Sequence, residues 1–183
     1  MDIKSLLGTI MSADALSNIG SAAGADKKDV KNVLTAALPS LLGGIQAQSD
    51  DETTGFGDAL LSHGKADLSD LSGFLGKVDL EDGAKIIGHL FGKGKDEEIS
   101  KIADEAGVTK AGATSILSAA APLVMSLFGQ HASSSADDSS NPSALASVVS
   151  LLLKNADIGS LLGGLLSGDA KDDKDDKKSP LGD

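Results

Sequence analysis

The chain has 183 residues, 40% of them hydrophobic, and a net charge of −11 at pH 7. It holds no cysteine, which excludes disulfides and thiolate zinc sites, and all 16 of its basic residues are lysine. The acidic balance and the missing arginine argue against nucleic acid or an anionic membrane surface as a partner.

Length alone points to one domain with tails, or two small related subdomains. The only aromatic residues are Phe56, Phe74, Phe91 and Phe128, so the core must be built from Leu, Ile, Val and Ala. Met1 to Met11 contains one lysine and no apolar run long enough for a signal peptide, so a cytoplasmic location is expected. In that stretch Ile3, Leu6, Leu7, Ile10 and Met11 predict a short amphipathic helix.

Next comes a segment that occurs twice. Leu16 to Ala47 aligns without a gap to Ile99 to Gln130 at an offset of 83. Ser17, Ile19, Ala23, Gly24, Lys27, Leu34, Ala36, Ala37 and Pro39 return as Ser100, Ile102, Ala106, Gly107, Lys110, Leu117, Ala119, Ala120 and Pro122. A repeat of this kind is an architectural unit. Each copy predicts a short helix, a turn and a long helix. Gly24 and Gly107 stand where a helix ends in a left-handed residue, and Asp26 and Thr109 stand where the next helix needs a cap.

The long helix of the first copy carries one apolar stripe: Val30, Val33, Leu34, Ala37, Leu38, Leu41, Leu42 and Ile45. The second copy repeats the phase with Ala113, Ile116, Leu117, Ala120, Ala121, Val124, Met125 and Phe128. Pro39 and Pro122 fall at the same phase. An interior proline costs about 3 kcal/mol and predicts a kink or break.

Between the copies, 46–57 reads as a polar linker, and Asp58 to Leu61 and Leu68 to Leu75 as short helices broken by Gly64, Gly73 and Gly76. Leu80 to Gly92 predicts a compact apolar helix or turn, Lys93 to Lys95 a basic loop, and Asp96 a cap for the second copy.

After the second copy, 132–140 reads as a Ser/Asp/Ala linker. Asn141-Pro142 is a helix start, cap then N1 proline. It opens an amphipathic arm, 141–168, in which Leu145, Val148, Val149 and Leu152 are followed by Ile158, Leu161, Leu162, Leu165 and Leu166. The Lys/Asp tail, 169–183, reads as disordered and solubilising. No alternating strand pattern appears. The expected fold is therefore all-α: two duplicated helical hairpins in a compact array (residues 1–131), then the arm and the tail.

The run Asp82 to Gly92, DGAKIIGHLFG, is followed at once by Glu97 to Gly129, EEISKIADEAGVTKAGATSILSAAAPLVMSLFG. Together they resemble the YidB-like family, a bacterial family of unknown function. The resemblance covers roughly Met11 to His131, and Gly88, His89, Phe91 and Gly92 are its most specific residues. It implies packed α-hairpins with no established activity and no known catalytic residues.

Several chemistries compete with a structural reading. Ile102 to Lys110 is similar to the first helix and turn of a helix-turn-helix, but Ala111 to Gln130 offers no charged residue to base edges. The same uncharged run is about long enough to cross a bilayer, yet its Gly112, Thr114, Ser115, Ser118, Pro122 and Ser126 favour a buried bundle helix. His63, His89 and His131 do not show the convergent spacing of a metal site, and His89 within IIGHLFG reads as a core-edge residue with a satisfied ring nitrogen. The Gly-Lys pairs lack the rest of a phosphate loop, and the Asp-rich tail lacks a calcium-loop pattern.

The expected function is thus a non-enzymatic structural or protein-interaction module, without a cofactor or metal site. A helix-turn-helix regulator is the alternative, and an enzyme using His89 the second alternative. For self-association the candidate residues are Leu161, Leu162, Gly163, Gly164 and Leu165, in a homo-oligomer held by close helix contact.

Overall fold

The computed structural model describes residues 3–135, 141–155, 157, 159–160 and 163. Among them the elements are helical: α1 (Ile3–Ile10), α2 (Ala13–Ala23), α3 (Lys27–Asp50), α4 (Phe56–His63), α5 (Leu71–Leu75), α6 (Leu80–Phe91), α7 (Lys95–Ala106), α8 (Lys110–Ser135) and α9 (Pro142–Lys154). Short 3-10 turns join α3 to α4 and α6 to α7.

The α2–α3 and α7–α8 pairs turn in the same way. Gly24 and Gly107 are both left-handed, at φ 67° and 72°. In each pair the residue after the glycine donates back to the carbonyl five residues earlier, Ala25 to Gly20 at 2.9 Å and Val108 to Ala103 at 3.0 Å. That bond satisfies a carbonyl the helix end would otherwise leave open. Thr109 caps α8 through its hydroxyl, which accepts from the Gly112 amide at 3.0 Å. Asp26 occupies the matching position but makes no side-chain cap bond.

Each pair also leans on the other. α2 packs on α8 and α3 packs on α7, so the two hairpins cross-brace. Ser40 of α3 donates to Glu98 of α7, and the Asn32 amide donates to the Ala106 carbonyl at 3.4 Å. α1 lies against α8 and α2, with Ile3, Leu6, Leu7 and Ile10 buried.

The two long helices differ in one respect. α3 buries its predicted stripe and exposes the opposite face. α8 buries every residue from Ile116 to Gly129, including Ser118, Pro122 and Ser126. It is the central rod, contacted by α1, α2, α3, α4, α6, α7 and α9. It is also the one described helix long and apolar enough to cross a membrane, with 78% of its most apolar window buried in the fold.

Five local expectations change. α3 continues to Asp50 and α4 begins at Phe56, so much of the expected linker 46–57 is helix. Neither proline breaks its helix: α3 runs through Pro39 and α8 through Pro122. α7 begins at Lys95 with Gly94 at its cap, so Asp96 sits in the first turn, where its charge favours the helix dipole, rather than capping it. α8 extends to Ser135 and buries Ala132, so 132–135 of the expected linker is helix. α9 docks on the same core through Leu145, Val149 and Leu153, packing on α3, α4 and α8. The tail, 169–183, lies outside the described residues.

Candidate functional site

Three surface features draw together the residues singled out in the sequence. The first surrounds the Gly-His-hydrophobic-Phe-Gly element. α6 ends at Phe91 because Gly92 takes φ 56°, ψ −138°, a backbone that residues with a Cβ rarely adopt. Gly88 lies one turn back and half-buried, Phe91 is half-buried and Gly92 exposed. His89 is also exposed. Its backbone carbonyl, rather than its ring, is bonded: it accepts from the Gln48 side-chain amide at 3.0 Å. The expected core-edge histidine with a bonded ring nitrogen is thus corrected to a surface histidine. The helical register turns Ile86, Ile87 and Leu90 inward and His89 outward.

His89 stands on the rim of an apolar recess of about 120 Å³. Phe56 and Ala59 of α4, Ile86 and Leu90 of α6 and Met125 of α8 form its walls, and Gln48 and Thr54 share the rim. Thr54 is placed by its hydroxyl, which donates to the Gln48 and Asp51 carbonyls at 3.3 and 3.0 Å. Gly44 of α3 lets the α6 backbone approach at this place: a Cβ there would stand 2.6 Å from the Leu90 carbonyl oxygen.

The second feature is an open cleft of about 620 Å³ over Pro122. Its walls mix Asp67, Asp70, Asp79 and Asp82 with Lys77, Lys85, His63 and Phe74. Asp70 and Asp79 spend one carboxylate oxygen on capping α5 and α6. Asp67 binds the Ser69 hydroxyl and amide, and these bonds hold its carboxyl below the usual range. Beneath the cleft, Pro122 has no N–H to offer the Ser118 carbonyl. Gly83 of α6 packs directly on that oxygen, at 1.8 Å from where a Cβ would lie.

The third feature is α9. Asn141 caps it, accepting from Ser143 and Ala144 at 3.0 and 3.4 Å. Its last turn is clamped to the end of α3: the Ser150 hydroxyl and the Lys154 ammonium both donate to Asp50 Oδ1, the latter at 3.0 Å. The Ser150 bond, then Lys154, holds the Asp50 carboxyl below its ordinary value. The outward face carries Ser143, Ser147 and Lys154 with one exposed apolar residue, Leu151, at 62%; Val148 and Leu152 are half-buried and packed against the core. Beyond α9, Asp157 Oδ1 accepts from the Ser160 amide at 3.2 Å, and Gly159, Ser160 and Gly163 are helical. Gly163 is exposed with open space around it. Leu161, Leu162, Gly164 and Leu165 lie outside the described residues.

The remaining candidates stay apart. His63 lines the cleft over Pro122 and His89 the recess. Among the described residues, no group of three or more His, Asp or Glu is placed to hold a metal. The helix resembling a recognition helix is α8; it is buried from Ile116 to Gly129, and its first turns, from Lys110 to Ser115, reach the surface with Lys110 as their single charge. The glycine contacts at Gly44 and Gly83 escaped the sequence reading. Their one signal was a glycine inside a helical pattern, which marks a close backbone approach as readily as a weak helix.

No curated protein matches the chain, and no solved structure matches it. A family model does, over residues 5–131, which spans both hairpins, the cleft and the recess. The chain therefore belongs to the family described as bacterial protein of unknown function (DUF937), to which its YidB-like resemblance pointed.

Proposed function

We propose that this chain is a non-enzymatic interaction module whose C-terminal arm associates with another copy of the protein. The observation that carries the reading is Leu151, 62% exposed on a helix whose opposite face is buried in the core. Val148 and Leu152 flank Leu151, half-buried and packed against the core. In sequence the arm continues into Ile158, Leu161, Leu162, Leu165 and Leu166. Those residues recur at helical spacing, and an apolar face of that length needs cover from a partner surface. Lys154 is the one basic residue from 141 to 168, which favours a protein partner over an anionic membrane.

The two hairpins support the role as scaffold. Their constant offset in sequence, matching left-handed glycines and crossed packing fit one ancestral unit used twice. Cross-bracing holds α8 rigid at the centre, and α9 is presented from that rigid base.

Light scattering over a range of concentrations tests the reading. The full-length protein is expected to gain mass as concentration rises, and Leu151→Asp to remain a monomer. Because Leu151 is a surface position, the variant should melt within about 0.5 kcal/mol of the parent. Monomers at every concentration for both proteins refute self-association.

A further inference from the structure

We propose that the seat of α9 is a helix receptor: α3, α4 and α8 form a ready-made groove for an amphipathic helix of a partner protein, and α9 is a tethered occupant that covers the groove until the partner enters. The inference uses the inward face of α9, so it goes beyond self-association through Leu151.

The groove is built without α9. α4 is fixed to α8 where their backbones meet at Gly64 and Gly129: a Cβ on Gly129 would stand 2.4 Å from the Leu60 carbonyl oxygen. Beside that contact the Gln130 side-chain amide donates to the Ala66 carbonyl at 2.7 Å. α3 is fixed to α6 where Gly44 meets the Leu90 carbonyl and Gln48 donates to the His89 carbonyl, and to α7 where Ser40 donates to Glu98. All of these contacts lie within the residues that the family model matches, 5–131, whereas α9 begins at Pro142. Walls fixed by contacts of their own keep their place when the occupant leaves, as the backbone of a pre-organised interface does.

α9 holds on by one face. Leu145, Val149 and Leu153 are buried four residues apart, with Ala146 beside them. These are the anchors of a helix laid in a groove. The start of the helix crosses Gly57 of α4, where a Cβ would stand 2.1 Å from the Pro142 carbonyl oxygen, so a side chain there would block entry. At the other end Ser150 and Lys154 donate to Asp50. The Lys154 and Asp50 side chains are 53% and 43% exposed, and an ion pair so open to water adds little hold. These contacts specify the partner: a helix with aliphatic residues at four-residue spacing, a small residue after the first, and hydroxyl and ammonium donors toward Asp50. A short tether gives α9 an effective concentration on the order of millimolar, so a partner enters only by outcompeting it.

A fluorescein-labelled peptide of residues 141–155 is the probe, read by anisotropy on the full-length protein. Leu145→Asp combined with Val149→Asp turns the tethered helix out. This variant should bind the probe about tenfold or more tighter than the parent, whose own α9 competes. Adding Gly57→Ala should weaken that binding about tenfold. An unlabelled helix that keeps only Leu145, Ala146, Val149, Ser150, Leu153 and Lys154 on an alanine and glutamate background should displace the probe, and a scrambled one should not. A variant that keeps its circular dichroism yet binds the probe no better than the parent overturns the inference. If the variant does not fold, a protease site placed between Ser135 and Asn141 decides. After the folded chain is cut, fragment 141–183 should leave on dilution and the probe should take its place. A fragment held until the whole protein melts makes α9 an integral core helix and overturns the inference.

Discussion

Gly83→Ala separates a packing glycine from a merely weak helix residue. In the interior of a helix, alanine is better than glycine by about 0.5–1 kcal/mol, so a glycine that touches nothing should be improved by the change. Gly83 touches the central rod: a Cβ would stand 1.8 Å from the Ser118 carbonyl oxygen, 2.6 Å from its carbon and 3.0 Å from its Cα. A comfortable carbon–oxygen contact is about 3.3 Å, so α6 would have to withdraw by roughly 1.5 Å, taking Ile86 and Ile87 partly out of the core. Overpacking of this kind costs about 1–3 kcal/mol. After the propensity gain, the net loss is about 1–2 kcal/mol, or roughly 2–8 °C in melting temperature for a chain of this size. Gly43→Ala is the control, since Gly43 lies in the interior of α3 with nothing within 4 Å of an added Cβ. Urea melts of both variants decide the matter. Gly43→Ala should be neutral or stabilised, and Gly83→Ala destabilised. A Gly83→Ala protein as stable as its parent would refute the close approach of α6 to α8.

Leu117, 1% exposed on α8, should cost about 2–5 kcal/mol as Leu117→Ala; a loss below about 0.5 kcal/mol in the same melts would take it out of the core. Asp50 gives a pH signature. Its carboxyl is held below its ordinary value of 3.8 by Ser150 first and Lys154 second, so its contribution is complete above the unfolded value and disappears as pH falls through the lower folded one. The protection factors of α9 amides, exchange rates taken relative to the intrinsic rate at each pH, should therefore fall below about pH 4, and Asp50→Asn should remove that step; an unchanged pH profile in the variant would show that the clamp is not responsible. Removing the cap of α9 with Asn141→Ala should cost about 1 kcal/mol, read as a lower melting temperature with α9 amides exchanging first.

The hairpins were legible because their signals are local. Gly24 and Gly107 terminate α2 and α7 by backbone conformation, and the stripe from Val30 to Ile45 follows from helical period alone. Asn141-Pro142 reads correctly for the same reason. What the sequence did not reveal depends on neighbours. α8 carries the same stripe as α3, yet it is buried all round because helices from both halves of the chain surround it. The absence of charge from Ala111 to Gln130 was the trace of that burial. His89 was misplaced because a lone polar residue in IIGHLFG fits either the edge of a core or its outer face, and only the register of Ile86, Ile87 and Leu90 settles which. The recess needed α3, α4, α6 and α8 together, from residues as distant as Gln48 and Met125, and no local pattern joins them.

Sedimentation equilibrium of the unaltered full-length chain tests the claim of self-association most directly. The account predicts an apparent mass that rises with concentration from 18.3 kDa toward a dimer. It also predicts tighter association as salt screens the repulsion between two chains of net charge −11. A mass that stays at 18.3 kDa at every concentration and salt would contradict it.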